Sequence, residues 1–419
     1  MAEQSPAILF TAFEPSGDAL AAPVIAALRR LRPDLRVYAV GGPRMEAAGA
    51  AIVERTSDDG SMGLGAVGKA ASVRGVVARI KRWSAQYRVV CHVAVDSPAA
   101  NFPIARIMRA RGARVVHLAA PQLWAWGAWR LGKLKKLTSV VLCLLPFEKR
   151  WFTERGVPAR FIGHPVLNRV LDERALAERA AALPRGGPKV AILPGSRSSE
   201  VARNIRLLVA AFIELQGRHG GMAGVIVAAN PGLAAIVRRK VPVFPTGLHM
   251  ISGSELEGAE PSATTPPTTG AAGGAAGAPV TSGAGVRGLD AAIRWCDLAL
   301  CVSGTVTLDV ARQCKPMIGV YRTSLASVLG AKVLLRTPFR LLPNIIAGRE
   351  ICPEFVPHAG GAGPVVHAAG ELLRDSRRLA QQSEELARIV KAYEGHHPAE
   401  EAAEAVLQLV DGRAAGARG

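Results

Sequence analysis

The residues best equipped for chemistry stand where short apolar runs end abruptly. The run Val89–Val95 stops at Asp96, and Ser97-Pro98 prevents it from continuing. An acid in that place can take a proton from an attacking hydroxyl, although aspartate is also an ordinary turn residue. The run Ala7–Ala12 enters Phe13-Glu14-Pro15-Ser16-Gly17-Asp18. Glu14 thus sits at the end of the run, and Ser16 and Gly17 fall in a turn that opens a helix. Amides at such a helix start favour an anion or a polar sugar substituent. Ser16 or Asp18 can equally act there as an N-cap.

Two later segments repeat the arrangement. KVAILP runs into GSRSSEV, with Gly195, Ser196, Arg197 and Glu200, and DLALCVSG runs into TVTLDVA, with Ser303, Gly304, Thr305 and Asp309. A strand, a glycine-bearing turn and a helix together present backbone amides to phosphate. Arg197 adds a guanidinium able to grip a diphosphate with two parallel bonds, and Asp309, one turn into its helix, is placed to meet ribose hydroxyls. Neither segment has the GxxxxGK[ST] or GxGxxG spacing, which argues against an ATPase and a nicotinamide enzyme. Phosphate binding without those signatures points to a nucleotide sugar.

Trp124, Trp126 and Trp129 lie beside Arg130, Lys133, Lys135 and Lys136. Indoles next to cations suit the boundary between water and lipid headgroups, or the entrance for an acyl chain; packed tryptophans followed by a solvated basic helix fit the same pattern. His164 reads as a turn residue. The six cysteines form no CxxC pair and sit mostly in apolar runs, the placement of small buried hydrophobes rather than of metal ligands or bridges.

These groups need a scaffold, and the spacing of apolar runs supplies one. Besides the runs already given, Val37–Val40, Val115–Leu118 and Val140–Leu145 read as buried strands, and Pro23–Leu31 has the period of a helix. Strand and helix in alternation predict a parallel, doubly wound sheet. A second series runs through Lys189–Leu193, Val225–Ala229, Asp297–Val302 and Pro316–Tyr321. The fold class is therefore α/β, with two Rossmann-like domains facing across a cleft and ligands at the carboxyl ends of their strands. We place the first domain at residues 1–170, the second at 186–367, and helices at 368–410 that pack back on a domain or a partner subunit. Within the second domain, Gly258–Gly285 holds a single charge and a single large aliphatic residue, which predicts a disordered insertion at about 254–287.

At 419 residues, 49% hydrophobic and 20% charged, the chain is globular and long enough for two cores. No apolar run reaches the roughly 18 residues of a membrane span, and the N-terminus reads as neither a signal nor a transit peptide, so the expected location is cytoplasmic. Residues 1–170 hold 25 Lys/Arg against 11 Asp/Glu, whereas the remainder holds 27 against 22. The basic first half suits nucleic acid, an acidic membrane surface or a phosphorylated substrate; an arginine-rich composition alone gives the same excess.

Taken together, ten segments resemble the lipid-A-disaccharide synthase family in its own order. They are FEPSGD, GGPRMEAAG (41–49), MGLGAVG (62–68), VDSP (95–98), APQLWAW (120–126), LPFEKRWF (145–152), FIGHP (161–165), LPGSRSSEV (193–201), SGTVTLD (303–309) and LPNIIAGREICPE (342–354). The resemblance implies an inverting glycosyltransferase of GT-B architecture. It would move diacylglucosamine from its UDP conjugate to diacylglucosamine 1-phosphate, forming a β-1,6 disaccharide and UDP. Asp96 would be the base, Glu14 a residue near the reacting sugars, Arg197 a diphosphate contact and Asn344 a contact to the donor. The resemblance further implies no metal, no cofactor, no nucleic acid, a peripheral position on the inner face of the cytoplasmic membrane, and a homodimer as an open option. Another GT-B enzyme, a UDP-N-acetylglucosamine transferase or epimerase, and a homologue that binds nucleotide sugar or membrane without catalysis, are the rival readings. The chain departs from the family pattern at Phe13, Ala99, Gly127 and Asp309, where glycine, an acid, arginine and glutamate are usual, and it lacks the glutamine expected soon after Glu354.

Overall fold

A computed structural model describes residues 6–56, 66–252, 287–323 and 337–412. The start of the MGLGAVG segment and the expected insertion, but for Arg287, lie outside them. The chain divides into two compact units. One comprises Met1–Asn168, Leu335–Thr337 and Ala392–Gly419, and the other Arg169–Leu334 and Pro338–Lys391.

The first unit is built on seven parallel strands: β1 (Ala7–Thr11), β2 (Arg36–Gly41), β3 (Ala51–Arg55), β4 (Val89–Val95), β5 (Arg114–Leu118), β6 (Val140–Cys143) and β7 (Ala159–Phe161). Their order is β3-β2-β1-β4-β5-β6-β7. Runs such as Ile8–Phe10 and Val115–Leu118 are apolar or buried on both faces because helices cover both sides of the sheet. The chain reverses direction across the sheet between β1 and β4, so the crevice at the carboxyl ends of those two strands is the expected ligand position for this topology.

The first helix starts at Pro15 and not at Pro23, which lies inside it on the exposed face. A proline there removes a hydrogen bond, but Ala21, Val24, Ile25 and Leu28 bury the opposite face fully enough to keep the helix going. The last described helix, Pro398–Val410, belongs to this unit as well: Ala402, Ala403, Ala405 and Val406 share one core with Phe10, Ile25 and Val93. The returning chain is fastened at Asn168, whose amide Nδ2 donates to the Tyr393 carbonyl at 2.5 Å while Oδ1 accepts from His164 N at 2.9 Å.

The second unit carries β8 (Lys189–Leu193), β9 (Ala223–Ala228), β10 (Leu248–Ser252), β11 (Leu298–Val302), β12 (Met317–Arg322) and β13 (Glu354–His358). All are parallel in the order β10-β9-β8-β11-β12-β13. Here the reversal falls between β8 and β11. The helices Gly363–Arg374 and Ser376–Lys391 stay with this unit; Gln382 on the latter accepts from Met317 N at 2.7 Å. Five of the six cysteines are buried. Among the described residues no helix is long and apolar enough to cross a membrane.

Candidate active site

Asp96 and Glu14 stand at the carboxyl ends of β4 and β1, the neighbouring strands at the reversal point of the first unit. Both are exposed, and neither carboxylate has a hydrogen bond or ion pair among the described residues. Asp96 and Ser97 adopt consecutive left-handed conformations, with φ of 47° and 30°. Such geometry in residues other than glycine costs of order 1–3 kcal/mol each, so something must hold it. The Asp96 amide donates to Leu118 O at 2.9 Å, and Asn101 Nδ2 donates to the carbonyls of Val95 and Asp96, each at 2.9 Å.

Asn101 is held in turn by a buried chain. Thr11 Oγ1 has a single proton and gives it to Asn101 Oδ1 at 2.6 Å. The 2.8 Å contact between Thr11 Oγ1 and His92 Nε2 must therefore have the imidazole as donor. Burial, with His117 nearby, keeps His92 neutral by lowering its pKa to about 3; burial brings His117 to about 4. Unfolded histidines take up protons below about 6.5 whereas these two do not, so the unfolded chain binds more protons between about pH 4 and 6.5. Stability should accordingly fall as the pH drops through that window. Urea unfolding at pH 7 and pH 5 checks this, and a midpoint unchanged between them would contradict it.

Gly17 is buried beneath the turn rather than lining it: a Cβ there would lie 3.1 Å from Ala12 Cβ and 3.6 Å from Val95 Cγ1. Ser16 is exposed. Ser16 does not cap the first helix, whose N-cap position is Glu14, and neither does Asp18, which lies inside the helix. Its carboxylate accepts from the amides of Gly42, Arg44 and Met45 at 2.9–3.1 Å, anchoring the GGPRM segment to the first helix.

The tryptophans part company. Trp124 Nε1 donates to buried Glu148 at 2.9 Å, and Glu148 also accepts from Leu145 N at 3.1 Å; Trp124 thus ties its loop to the helix Pro146–Thr153. Burial raises the Glu148 carboxyl to about 7 against those hydrogen bonds. Trp126 and Trp129 are 42% and 72% exposed. Gly127 turns the chain at φ 76°, the Arg130 amide closes the turn on the Gly127 carbonyl at 2.9 Å, and the Arg130 guanidinium lies 4.5 Å from the Trp126 ring and 5.8 Å from that of Trp129. Lys133 Nζ lies 5.0 Å from the Phe102 ring.

In the second unit the two glycine-bearing turns follow β8 and β11, adjacent strands at the reversal point. Gly195 has a φ of 116°, and a Cβ there would meet Glu200 at 2.9 Å. Glu200 accepts from the amides of Ser196 and Arg197, both at 3.3 Å, and from the Arg197 guanidinium at 3.0 Å. The amides expected to be open to phosphate are thus engaged by an internal carboxylate, which leaves the rest of the Arg197 guanidinium and the amides of Ser198 and Ser199 at the helix start. Ser303 Oγ donates to Arg340 O at 3.1 Å, while Gly304 and Thr305 are exposed.

Asp309 and Asn344, both expected as donor contacts, are buried and paired within the fold. Asp309 is 6% exposed and pairs with Arg287 at 2.5 Å, inside a group that includes buried Asp290 and Arg312 and the partly exposed Arg169. Asn344 is fully buried, and its amide is used up within its own loop. Oδ1 accepts from the amides of Ile351 and Cys352 at 2.9 Å, and Nδ2 donates to Cys352 O at 2.8 Å and Glu354 at 3.0 Å. The residues that spacing missed are Thr11, His92 and Asn101; the one signal was an amide five positions after Asp96.

Comparison with known proteins bears on all of this. Residues 8–259 and 287–409 match the family described as lipid-A-disaccharide synthetase. The chain is 32% identical over 412 residues to the lipid-A-disaccharide synthase of Pseudomonas aeruginosa strain UCBPP-PA14, covering 97% of this chain and 98% of that protein. Among solved structures, the glycotransferase of kitacinnamycin superposes with a TM-score of 0.60 at 13% identity, over 97% of this chain and 100% of that one. A putative UDP-N-acetylglucosamine 2-epimerase from Listeria monocytogenes gives 0.55 at 10% identity, over 98% and 96%. At such identities the structural likeness concerns the fold, which is GT-B as the sequence predicted.

Proposed function

The chain belongs to the lipid-A-disaccharide synthetase family, and from that premise we propose that it transfers 2,3-diacylglucosamine from UDP to the 6-hydroxyl of 2,3-diacylglucosamine 1-phosphate, with Asp96 as the base. The observation that carries the assignment of Asp96 is an exposed carboxylate, free of any partner among the described residues, on a strained turn that a buried amide holds in place. Strain retained by such support marks a position where geometry matters more than stability.

In the step itself Asp96 accepts the proton of the 6-hydroxyl as its oxygen attacks the anomeric carbon. The bond from that carbon to the diphosphate oxygen breaks, the configuration inverts, and UDP departs with the electron pair. General-base help of this kind contributes about 10²–10⁴-fold. Glu14, on the adjacent strand end, adds a second carboxylate that can hold sugar hydroxyls. In the second unit Arg197 and the first amides of the Ser198–Gln216 helix meet the negative charge that develops on UDP. Trp126, Trp129 and the basic Leu131–Leu137 helix meet the inner face of the membrane that supplies both acylated substrates.

UDP release measured with each substrate varied in turn tests this reading. Release should require both, and Arg197→Ala should raise the KM for the donor about tenfold, as expected for losing one charge-assisted contact, with the KM for the acceptor unchanged. Equal turnover of unacylated UDP-N-acetylglucosamine would favour a different GT-B enzyme, and UDP binding without any product would favour a non-catalytic homologue.

A further inference from the structure

Arg130 is the cation in the first unit whose surroundings are best arranged for a ligand. Its guanidinium lies over one indole and near a second, both exposed, and it has no carboxylate within ion-pair distance among the described residues. The guanidinium donates no side-chain hydrogen bond among the described residues, so its N–H groups remain available to grip two oxygens of a phosphate at once. The indoles also restrict the side chain, so less rotamer freedom is lost when an anion arrives.

Its position matters as much as its chemistry. The loop that carries Arg130 leaves the carboxyl end of β5, and the last residue of β5, Leu118, accepts the hydrogen bond from the Asp96 amide. The helix that follows Arg130 brings Lys133 over Phe102, one turn into the helix that begins just after Asp96. Arg130 and Lys133 are therefore on the same end of the same unit as the carboxylate, on consecutive elements.

We propose that Arg130 recognises the 1-phosphate of the acceptor, with Lys133 adding charge and the faces of Trp126 and Trp129 receiving the start of an acyl chain. This rests on the reading of Asp96 as the base, since it places the acceptor's two ends, hydroxyl and phosphate, on one unit. A phosphomonoester on the acceptor and the phosphate of a lipid headgroup offer similar chemistry; the acceptor is favoured because the site lies beside the proposed base.

The test compares transfer to the acceptor with and without its 1-phosphate, for the wild type and for Arg130→Ala and Arg130→Lys. With the phosphorylated acceptor the KM should rise roughly 10–100-fold in Arg130→Ala, the size of a lost charge-assisted contact, and substantially in Arg130→Lys, which cannot stack and bind bidentately together. The KM for the donor should not move. With the dephosphorylated acceptor the wild type and both variants should behave alike. Binding to phosphatidylglycerol vesicles, measured by co-sedimentation, should stay within a factor of two. An unchanged acceptor KM in Arg130→Ala, an equal loss on both acceptors, or a loss of vesicle binding alone would each overturn the proposal. If the wild type transfers to neither acceptor, the reading of the whole site fails instead.

Discussion

Asp96→Asn should lower kcat by two to four orders of magnitude, with a melting temperature close to that of the wild type. The substitution keeps the size of the side chain and removes only its ability to take a proton, and general-base contributions have that range. No hydrogen bond within the fold is lost, because the Asp96 carboxylate has no partner among the described residues; the turn is held by backbone groups and by Asn101. The KM for each substrate should change little, since the effect falls on the transition state. Steady-state kinetics with both acylated substrates read all three quantities, and full activity in this variant would remove Asp96 from the mechanism.

The second large effect concerns stability. Asp290, 1% exposed, accepts from Arg169 at 2.6 Å, from Arg287 at 3.0 and 3.1 Å and from Arg312 at 3.0 Å. Burial alone would raise its carboxyl, but the three guanidiniums hold it below the ordinary value. Asp290→Asn leaves the buried Arg312 guanidinium and the partly exposed Arg169 and Arg287 with Asp309 as their remaining carboxylate, and breaking a buried pair from one side costs about 3–5 kcal/mol, the upper end requiring that all partners be shielded from water. That is a large part of the 5–15 kcal/mol typical of a whole domain. The exposed pair between Arg30 and Glu400, at a comparable 3.0 Å, provides the contrast: Glu400→Gln should shift the unfolding midpoint hardly at all, because water screens such pairs. Denaturant titration of both variants decides, and equal midpoints would contradict the reading. Arg287 also reaches Asp309 on the helix that follows the Ser303–Thr305 turn, so the same network steadies a proposed donor-binding element.

How far the sequence could be read depended on whether a residue's partner lay nearby in the chain. Asp96 was legible because its strand is a seven-residue apolar run that ends at Asp-Ser-Pro, a local event. The strands β3, β7, β10 and β13 were not recognised: all four lie at sheet edges, where β3, β7 and β13 are only partly buried and so carry no continuous apolar run. Asp309 shows the limit most clearly. Its spacing after a glycine turn correctly put it one turn into a helix, yet its partner Arg287 lies 22 positions earlier and Arg169 comes from the start of the unit. Nothing local distinguishes an acid facing a ribose from one facing guanidiniums of its own chain. Asn344 met the same fate through Glu354, ten residues away, and Trp124 through Glu148, 24 residues away. Glu200 was accessible, since an acid three positions into a helix commonly reaches back to the amides before it; its hold on Ser196 and Arg197 follows from that habit.

The most direct trial of the account is mass spectrometry of the lipid formed from UDP-2,3-diacylglucosamine and 2,3-diacylglucosamine 1-phosphate, with UDP quantified in the same reaction. The account predicts one tetra-acylated disaccharide monophosphate for each UDP released, and its near disappearance with Asp96→Asn. UDP released without the disaccharide, or disaccharide formed equally well by the variant, would contradict it.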